Sequence, residues 1–289
     1  MSINNSLAKS QQRLGLTAYL TKDNVKAQIA NVLGGERGQK FITSIVSAVN
    51  TNPALQSCEN GSIVSGALLG ASLNLTPSPQ LGQFYLIPFN DRQRGMVAQF
   101  VLGYHGILQL AIRSGIYKKI NVLPIKQGEL VRFDPLEEEI EVNLIDDEEE
   151  RENAPTIGYY ATFSYINGFK KAIYWSKKRM ESHARKYSKG YAAGKGYTFW
   201  EKDFDAMACK TMLRQLLSKW GAMDTDLQKA YESDGAVIKQ DLTGEYLSFD
   251  EQEAPETPEA SAPELETPEA PKAEKTGKQS VTAALFGKE

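Results

Sequence analysis

The chain has 289 residues, a formal net charge of −3 and a hydrophobic fraction of 41%. A chain of this length can bury a core in one large domain or two small ones. No apolar run approaches the ~20 residues that span a bilayer, and the N-terminus lacks the apolar stretch of a secretory signal. The two cysteines stand far apart, so neither a disulfide framework nor a thiolate zinc site is expected. The protein is expected to work in a reducing compartment.

Charge is sorted strongly along the chain. Residues 1–135 carry 13 bases and 6 acids, whereas residues 136–153 carry 1 base and 10 acids. Residues 154–249 carry 15 bases and 10 acids, and residues 250–289 carry 4 bases and 10 acids. A basic body with an acidic tail is common among proteins that handle nucleic acid, because such a tail competes with phosphates for the cations of the body.

Helical spacing dominates the first part of the chain. After an N-terminal arm at residues 1–24, apolar residues recur at helical intervals over 25–33 and 41–49. Ser62 is the predicted N-cap of a third helix. Within that helix, Gly66 and Gly70 would allow another backbone to pack closely.

A hairpin and a short helix follow. Residues 84–89 and 96–102 read as two strands, and the loop between them carries Arg92 and Arg94. These arginines either reach a partner or simply stay in water. Residues 103–115 have the spacing of an amphipathic helix. On its polar side lie three hydrogen-bonding residues suited to a phosphate backbone, although a plain amphipathic helix explains them equally: His105, Gln109 and Arg113.

The middle of the chain predicts short strands and an acidic loop. Residues 120–125 and 130–133 read as strands, and residues 137–142 as a continuation on a sheet edge. Residues 146–152 read DDEEERE, which is too charged to bury and predicts a mobile loop. A divalent-metal site there is the alternative to a solvated loop.

The most basic stretch begins at a predicted hairpin. Residues 157–166 and 169–175 flank an Asn-Gly dipeptide, a strong hairpin signal, and Ser176 is placed to cap a helix over residues 177–188. Between residues 169 and 195 there are nine Lys or Arg and one acid, with aromatics interleaved. Such a segment suits a polymer of phosphates and stackable bases. The alternative is a solvated helix face with a few core aromatics.

The last predicted helix covers residues 200–220, and Trp220 belongs to its predicted apolar face. Lys210 and Arg214 lie four apart at one border of its apolar face, whereas Asp203 and Asp205 lie near its N-terminus and complement its dipole. Residues 250–289 form a Pro/Glu/Ala-rich tail that predicts disorder. Its apolar end, SVTAALFGKE, is either a docking peptide for another protein or an untethered tail.

Several enzyme classes lack their motifs in this sequence. There is no GxxxxGK[ST] phosphate cradle, no GxGxxG after a strand, no HExxH and no GxSxG. Only two histidines occur, so a histidine-based metal or nucleophile site is poorly supplied. A metal-dependent nuclease built on carboxylates stays open as an alternative.

Four sequence blocks, taken in order, resemble the RecT family of phage single-strand annealing proteins, as carried by prophages of Gram-positive bacteria. The blocks are LNLTPSP with GQFYLIPF, VLGYHGILQLAIRSG, YYATFSYINGFKKAIYWSK and WEKDFDAMACKTMLRQLLSKW. The resemblance implies an α+β fold in which a small sheet of hairpins packs with helices, with a distant likeness to Red-beta and Rad52. It implies an annealing core over residues 25–249 that binds DNA and oligomerises, with the acidic loop 136–153 inside it.

The resemblance also implies a function without covalent chemistry. Such proteins are recombinases that need no ATP, coat single-stranded DNA and pair it with a complementary strand on a helical or ring oligomer. The implied partners are single-stranded DNA, the annealed duplex, a 5′→3′ exonuclease and the host single-strand-binding protein, in the bacterial cytoplasm and not at a membrane. No motif requires a cofactor, and a divalent metal would at most modulate the activity. The alternative is a protein that coats or packages nucleic acid without annealing it.

The candidate DNA-contacting residues fall on the predicted hairpin, the two basic helices and the polar ridge. One wall of a predicted groove comprises Lys170, Lys171, Lys177, Lys178, Arg179, Lys210 and Arg214. The opposite wall comprises His105, Gln109, Arg113, Lys118 and Lys119, and further candidates are His183, Arg185, Lys186, Arg92 and Arg94. Tyr197 and Phe199 are the candidates for touching a base, whereas Tyr174 and Trp175 are expected in the core.

Overall fold

A computed structural model describes residues 15–245 of the chain, and it has an α+β fold. The helices are α1 Leu16–Leu20, α2 Asp23–Leu33, α3 Gly35–Thr51, α4 Asn60–Ser72, α5 Tyr104–Arg113, α6 Glu148–Asn153, α7 Lys177–Tyr187, α8 Lys189–Ala192, α9 Phe199–Lys202, α10 Phe204–Trp220 and α11 Thr225–Ser233. The strands are β1 Phe84–Asp91, β2 Gly95–Leu102, β3 Tyr117–Lys126, β4 Leu130–Asp134, β5 Glu139–Val142, β6 Thr156–Tyr165, β7 Lys170–Ser176, β8 Ala236–Ile238 and β9 Gly244–Glu245. A 3₁₀ turn covers Pro53–Ser57.

The first sheet joins a hairpin of residues 84–102 to the last strands of the described chain. Its strand order is β1-β2-β8-β9, and all neighbouring strands are antiparallel. The predicted hairpin forms its first half, and β8 pairs with β2 through Gln99 opposite Val237. Helix α4 packs against this sheet, and every residue from Ser62 to Gly70 is buried.

Glycines allow the close approach of α4 and β1. A Cβ at Gly66 would lie 2.9 Å from Cδ2 of Leu86, and a Cβ at Gly70 would overlap the ring of Phe84. Close packing at both glycines thus occurs, but against side chains of β1 and not, as predicted, against another backbone. The predicted N-cap is wrong, because Ser62 lies inside the helix. Its hydroxyl donates to the carbonyl of Glu59 and accepts from the backbone N–H of Ala98, which links the helix to β2.

The second sheet has the order β3-β6-β7, with β6 in the centre, and β4 pairs with β5 in a separate two-stranded hairpin. Helices α7 and α10 pack on the three-stranded sheet. Every second residue of β6 from Tyr159 to Phe163 is buried, and these residues form the side of the strand that faces the core: Tyr159, Ala161 and Phe163. The Asn-Gly turn between β6 and β7 forms as predicted, with Gly168 at a φ of 92°.

The acidic stretch is not a loop in the structure. Its residues 148–153 form helix α6, whose N-cap Asp147 accepts a hydrogen bond from the backbone N–H of Glu150. Acids in the first turn also complement the helix dipole. The cap and these acids are helix signals, and the prediction of a loop did not take them into account. Arg151 then donates its Nε–H to the fully buried carboxylate of Glu129 at 2.5 Å. Burial acts to raise the pKa of Glu129, but the hydrogen bonds from Arg151 and the backbone outweigh it and lower that pKa.

The long helix predicted over residues 200–220 is two helices. Asp203 interrupts it and caps α10 by accepting from the backbone N–H of Ala206 at 2.9 Å. The carboxylate of Asp205 does more than complement the dipole, because it accepts hydrogen bonds from the hydroxyls of Tyr159 and Thr156. These bonds tie α10 to β6. Trp220 was expected on the apolar face, but it is 46% exposed.

Part of the predicted N-terminal arm is described. Residues 16–20 form α1, and Leu20 is buried in the core. Residues 1–14 and the acidic tail from residue 246 onward, including the predicted docking peptide, lie outside the described residues. The division into arm, core and tail stays a prediction.

Candidate nucleic-acid interface

A row of polar side chains crosses the three-stranded sheet. Lys119 on β3 lies opposite Ser164 on β6, and Ser164 lies opposite Lys170 on β7. Residues directly opposite on neighbouring strands share a face, so the two exposed lysines flank one serine on the same side of the sheet. A β-bulge in the pairing between Tyr117 and Lys119 interrupts the alternation. As a result, Lys118 is exposed as well as Lys119.

Lys171 belongs to the opposite face of the sheet. It lies opposite the buried Phe163, and its Nζ lies 3.6 Å from the centroid of the Trp220 ring. The same ammonium pairs with the carboxylate of Glu138, in the turn between β4 and β5. Lys170 and Lys171 therefore differ, since the first is exposed and the second is already paired.

Helix α7 presents most of its cations to solvent. Ser176 caps it as predicted, accepting from the backbone N–H of Arg179. The exposed cations are Lys178, Arg179, Arg185 and Lys186, and Lys177 is half-buried.

Aromatic rings support several of these cations. The guanidinium of Arg179 lies 4.3 Å from the centroid of the Trp175 ring, and Trp175 is buried as expected. Arg185 lies near the ring of Tyr191, and Lys186 near that of Tyr187. His183 is half-buried beside Trp175. Burial and the neighbouring cations Lys186 and Arg179 lower the pKa of His183, so its neutral form is favoured.

The polar ridge of α5 forms as predicted, with His105, Gln109 and Arg113 exposed. Arg113 also donates to the carboxylate of Asp226 on α11 at 3.2 Å. Helix α5 packs against both α10 and α11. Helix α5, which carries the ridge, is therefore a neighbour of the helix that carries Lys210 and Arg214.

Lys210 and Arg214 are less open than the sequence predicted. Lys210 is half-buried, and desolvation together with the nearby Arg214 lowers its pKa to about 8. Arg214 pairs with Asp234, and its guanidinium lies 5.1 Å from the centroid of the Tyr231 ring. Since Asp234 also accepts from the backbone N–H of Leu102, Arg214 helps to hold α10 against the first sheet.

The hairpin tip between β1 and β2 carries Arg92 and Arg94, both of which are exposed. Arg94 donates to Glu59 at 2.9 Å and lies 3.6 Å from a carboxylate oxygen of Glu245.

The two candidates for base contact differ in exposure, because Tyr197 is half-buried and Phe199 is 61% exposed.

Two exposed aromatics were missed by the sequence reasoning. Phe169 was read as the start of a strand and Trp220 as part of an apolar helix face, yet each is 46% exposed. One signal was available: Phe169 follows an Asn-Gly turn directly, a position at the end of a hairpin where solvent reaches the side chain.

Among residues 15–245, no group of three or more His, Cys, Asp or Glu is placed to hold a metal ion. Both cysteines are free, and burial followed by the nearby Asp205 and Asp203 raises the pKa of Cys209 to about 11. Within the same residues, the helices are too short or too polar to cross a membrane.

Comparison with known proteins gives a consistent result. The family model described as "RecT family" matches residues 39–249. The chain is 39% identical over 255 residues to "Uncharacterized protein YqaK" of Bacillus subtilis, covering 86% of this chain and 82% of that protein. It is 28% identical over 247 residues to "Protein RecT" of Escherichia coli, covering 82% of this chain and 88% of that protein.

Proposed function

We propose that this chain, which belongs to the RecT family, coats single-stranded DNA and anneals it to a complementary strand without ATP. Membership of the family supports a role as a single-strand annealing protein in recombination. The observation that carries the finer proposal is the row Lys119–Ser164–Lys170, which sets exposed cations across a sheet.

Annealing makes and breaks no covalent bond. Its barrier is the mutual repulsion of two polyanions, which bound cations lower by neutralising phosphates and releasing counterions. The strands themselves read the sequence, so a protein that holds phosphates and leaves base edges free suits the task. Lysines and arginines on a sheet face and on α7 provide such contacts without a constellation of catalytic groups.

The candidate phosphate contacts differ in what the fold leaves accessible. Lys118, Lys119, Lys170, Lys178, Arg179, Arg185 and Lys186 are exposed, so they are proposed as direct contacts. The polar ridge of α5 is proposed as a second contact surface. Lys177, His183, Lys210 and Arg214 are more enclosed, and we propose that they act at the inner side of the bound strand. We also propose base contacts for Tyr197 and Phe199, and contacts with DNA for the two arginines of the β1–β2 tip.

Oligomerisation follows from the small size of each protomer's site. A single protomer of this size would hold on the order of 4–5 nucleotides, at the low end of single-strand site sizes. A search for complementarity needs a longer continuous strand, so we propose that protomers bind side by side in a ring or helical filament. In this arrangement the product is an annealed duplex retained on the oligomer.

Partners and conditions belong to the same proposal. We propose that the protein works in the bacterial cytoplasm with a 5′→3′ exonuclease that supplies single strands and with the host single-strand-binding protein, the tail being the candidate docking segment. We propose that annealing needs no cofactor and that a divalent metal at most modulates the activity. Deletion of residues 250–289 should leave annealing of naked oligonucleotides intact or improve it, because it removes ten acids and only four bases.

The decisive test mixes complementary labelled oligonucleotides with the purified protein, without ATP and with a chelator present. An annealing protein accelerates pairing and retains both strands in one complex. A protein that only coats or packages nucleic acid slows pairing, and that result would replace the proposal. Loss of intact labelled DNA when magnesium is added would instead indicate a nuclease.

A further inference from the structure

One end of the three-stranded sheet carries aromatic side chains that the fold leaves exposed. Phe169 and Trp220, each 46% exposed, line the same cleft of about 640 Å³. The other two tryptophans, Trp175 and Trp200, are each only 8% exposed. Burying such rings is a large part of the driving force for folding, so two exposed rings in one cleft indicate a surface suited to a partner.

Both rings are held in place although they are exposed. The ring of Phe169 packs on that of Tyr165, with 5.5 Å between centroids. The hydroxyl of Tyr165 donates to the backbone carbonyl of Trp220 at 3.0 Å. Nζ of Lys171 lies 3.6 Å from the centroid of the Trp220 ring. A flat ligand that stacks on these rings would therefore meet a preformed surface and would spend little binding free energy on ordering it.

The cleft has two rims of opposite charge. β7 is an edge strand, so the cleft runs round it from Trp220 and Lys171 to Lys170, where the row to Lys119 begins. The side formed by the β4–β5 hairpin is mainly acidic, with Glu137, Glu138, Glu139 and Glu141 beside Arg132, and Glu138 is paired with Lys171. A phosphate backbone is attracted to the rim of Lys170 and repelled by the acidic rim. The uncharged base is therefore the part of a nucleotide that suits the space between the rims.

We propose that this cleft takes unpaired bases of single-stranded DNA, which stack on Phe169 and Trp220 while the phosphates follow Lys170 and the row that leads from it to Lys119. The inference rests on the proposed function, because it assumes a bound single strand. Stacking uses the face of a base and is tolerant of sequence, so the pairing edges stay available to a complementary strand. Flat rings beside the exposed Lys170 match the base and the phosphate of a nucleotide, and a second copy of the chain is one of the outcomes of the test.

The test compares two strands that carry the same phosphates. A thymine oligonucleotide has bases to stack, whereas an abasic oligonucleotide of equal length has none. Phe169→Ala should weaken binding of the thymine strand by about 5- to 150-fold per stacked base and leave binding of the abasic strand unchanged. Leu81→Ala is the control, because Leu81 is 51% exposed but lies outside the cleft. It should change neither affinity.

A second measurement uses the native protein and needs no core substitution. Trp220 is the most exposed tryptophan, so stacked thymines should quench the intrinsic fluorescence, whereas the abasic strand should not. Trp220→Phe retains a ring for stacking and should abolish most of the quenching.

Three outcomes would overturn the inference. They are equal loss of affinity for both strands in Phe169→Ala, no loss for either strand, and a smaller DNA-free oligomer by light scattering in that variant. The third would assign the cleft to a contact between copies. A wild-type protein that binds DNA but fails to anneal would instead refute the proposed function, and the two failures are thus distinguishable.

Discussion

The guanidinium of Arg214 on α10 pairs with the carboxylate of Asp234, the residue that also accepts a hydrogen bond from the backbone N–H of Leu102 at 2.9 Å. Three parts of the chain meet at this carboxylate: helix α10, the end of α11 and strand β2. The side chain of Asp234 is only 9% exposed. Any test of Arg214 in DNA binding must therefore separate a lost contact with DNA from a loosened fold.

Arg214→Ala should destabilise the protein. It leaves the carboxylate of Asp234 largely buried without its cation, which costs about 1–3 kcal/mol for a pair whose arginine is partly exposed. Urea unfolding followed by circular dichroism measures the change. Arg214→Lys keeps the charge but not the forked geometry, so it should recover part of the lost stability. Unchanged stability in the alanine variant would mean that the ion pair does not hold α10.

Binding of single-stranded DNA should weaken between pH 7 and 9 because of Lys210. Its pKa in the folded protein is lowered to about 8 by burial and by Arg214, so the ammonium loses its proton over this range. A phosphate contact needs the charged form, and binding therefore falls as pH rises through that value. Lys210→Arg stays charged throughout and should flatten the pH dependence measured by fluorescence anisotropy. A wild-type affinity that is constant over this range would exclude Lys210 from phosphate contact.

Removing the cations of the sheet row should reduce the salt dependence of binding. If Lys119 and Lys170 each contact one phosphate, the double substitution to alanine lowers the slope of log K against log salt by about 1.4, at about 0.7 per contact on a single strand. The loss should be similar for unrelated sequences. Lys22→Ala and Lys26→Ala, at the exposed start of α2, provide a matched pair of charge removals outside the row, and a slope change of the same size in that pair would refute a specific contact.

Glu138→Gln should tighten binding at low salt. The carboxylate of Glu138 neutralises Lys171, and its removal leaves that ammonium available to phosphates. From the usual strength of such pairs, about 0.2–1 kcal/mol, the gain should be roughly 1.5- to 5-fold. Glu137→Gln removes the same charge from the same turn and is the control. Equal gains in both variants would show that only the net charge of the turn matters.

Local sequence signals predicted the local structure well. The hairpins of residues 84–102 and 157–175 follow from alternation and turn residues, and the helices around them follow from apolar spacing. The acidic helix α6 was missed because its charge argued against burial, although Asp147 supplied a cap. Helix α6 is held in place by the ion pair of Arg151 with Glu129. These two residues lie in different elements, so the spacing of apolar residues could not predict their contact.

The candidate site was predictable in composition but not in geometry. The positions of the cations could be read from the sequence, whereas their accessibility depends on partners distant along the chain. Lys171 is paired with Glu138 in the β4–β5 turn, and Arg214 with Asp234, which directly follows α11. In the same way, the exposure of Trp220 depends on where α10 ends relative to β7.

The pairing of β2 with β8 also governs how this chain reaches its native state. Strand β2 is made early in synthesis, but its neighbour in the sheet lies near residue 237, so the sheet cannot close until almost the whole core has left the ribosome. Contacts between such distant segments slow folding and leave an unpaired strand edge exposed meanwhile. Nascent or truncated chains that end before β8 should consequently aggregate, and a folded fragment has to include Glu245, whose carboxylate contacts Arg94 and Lys239.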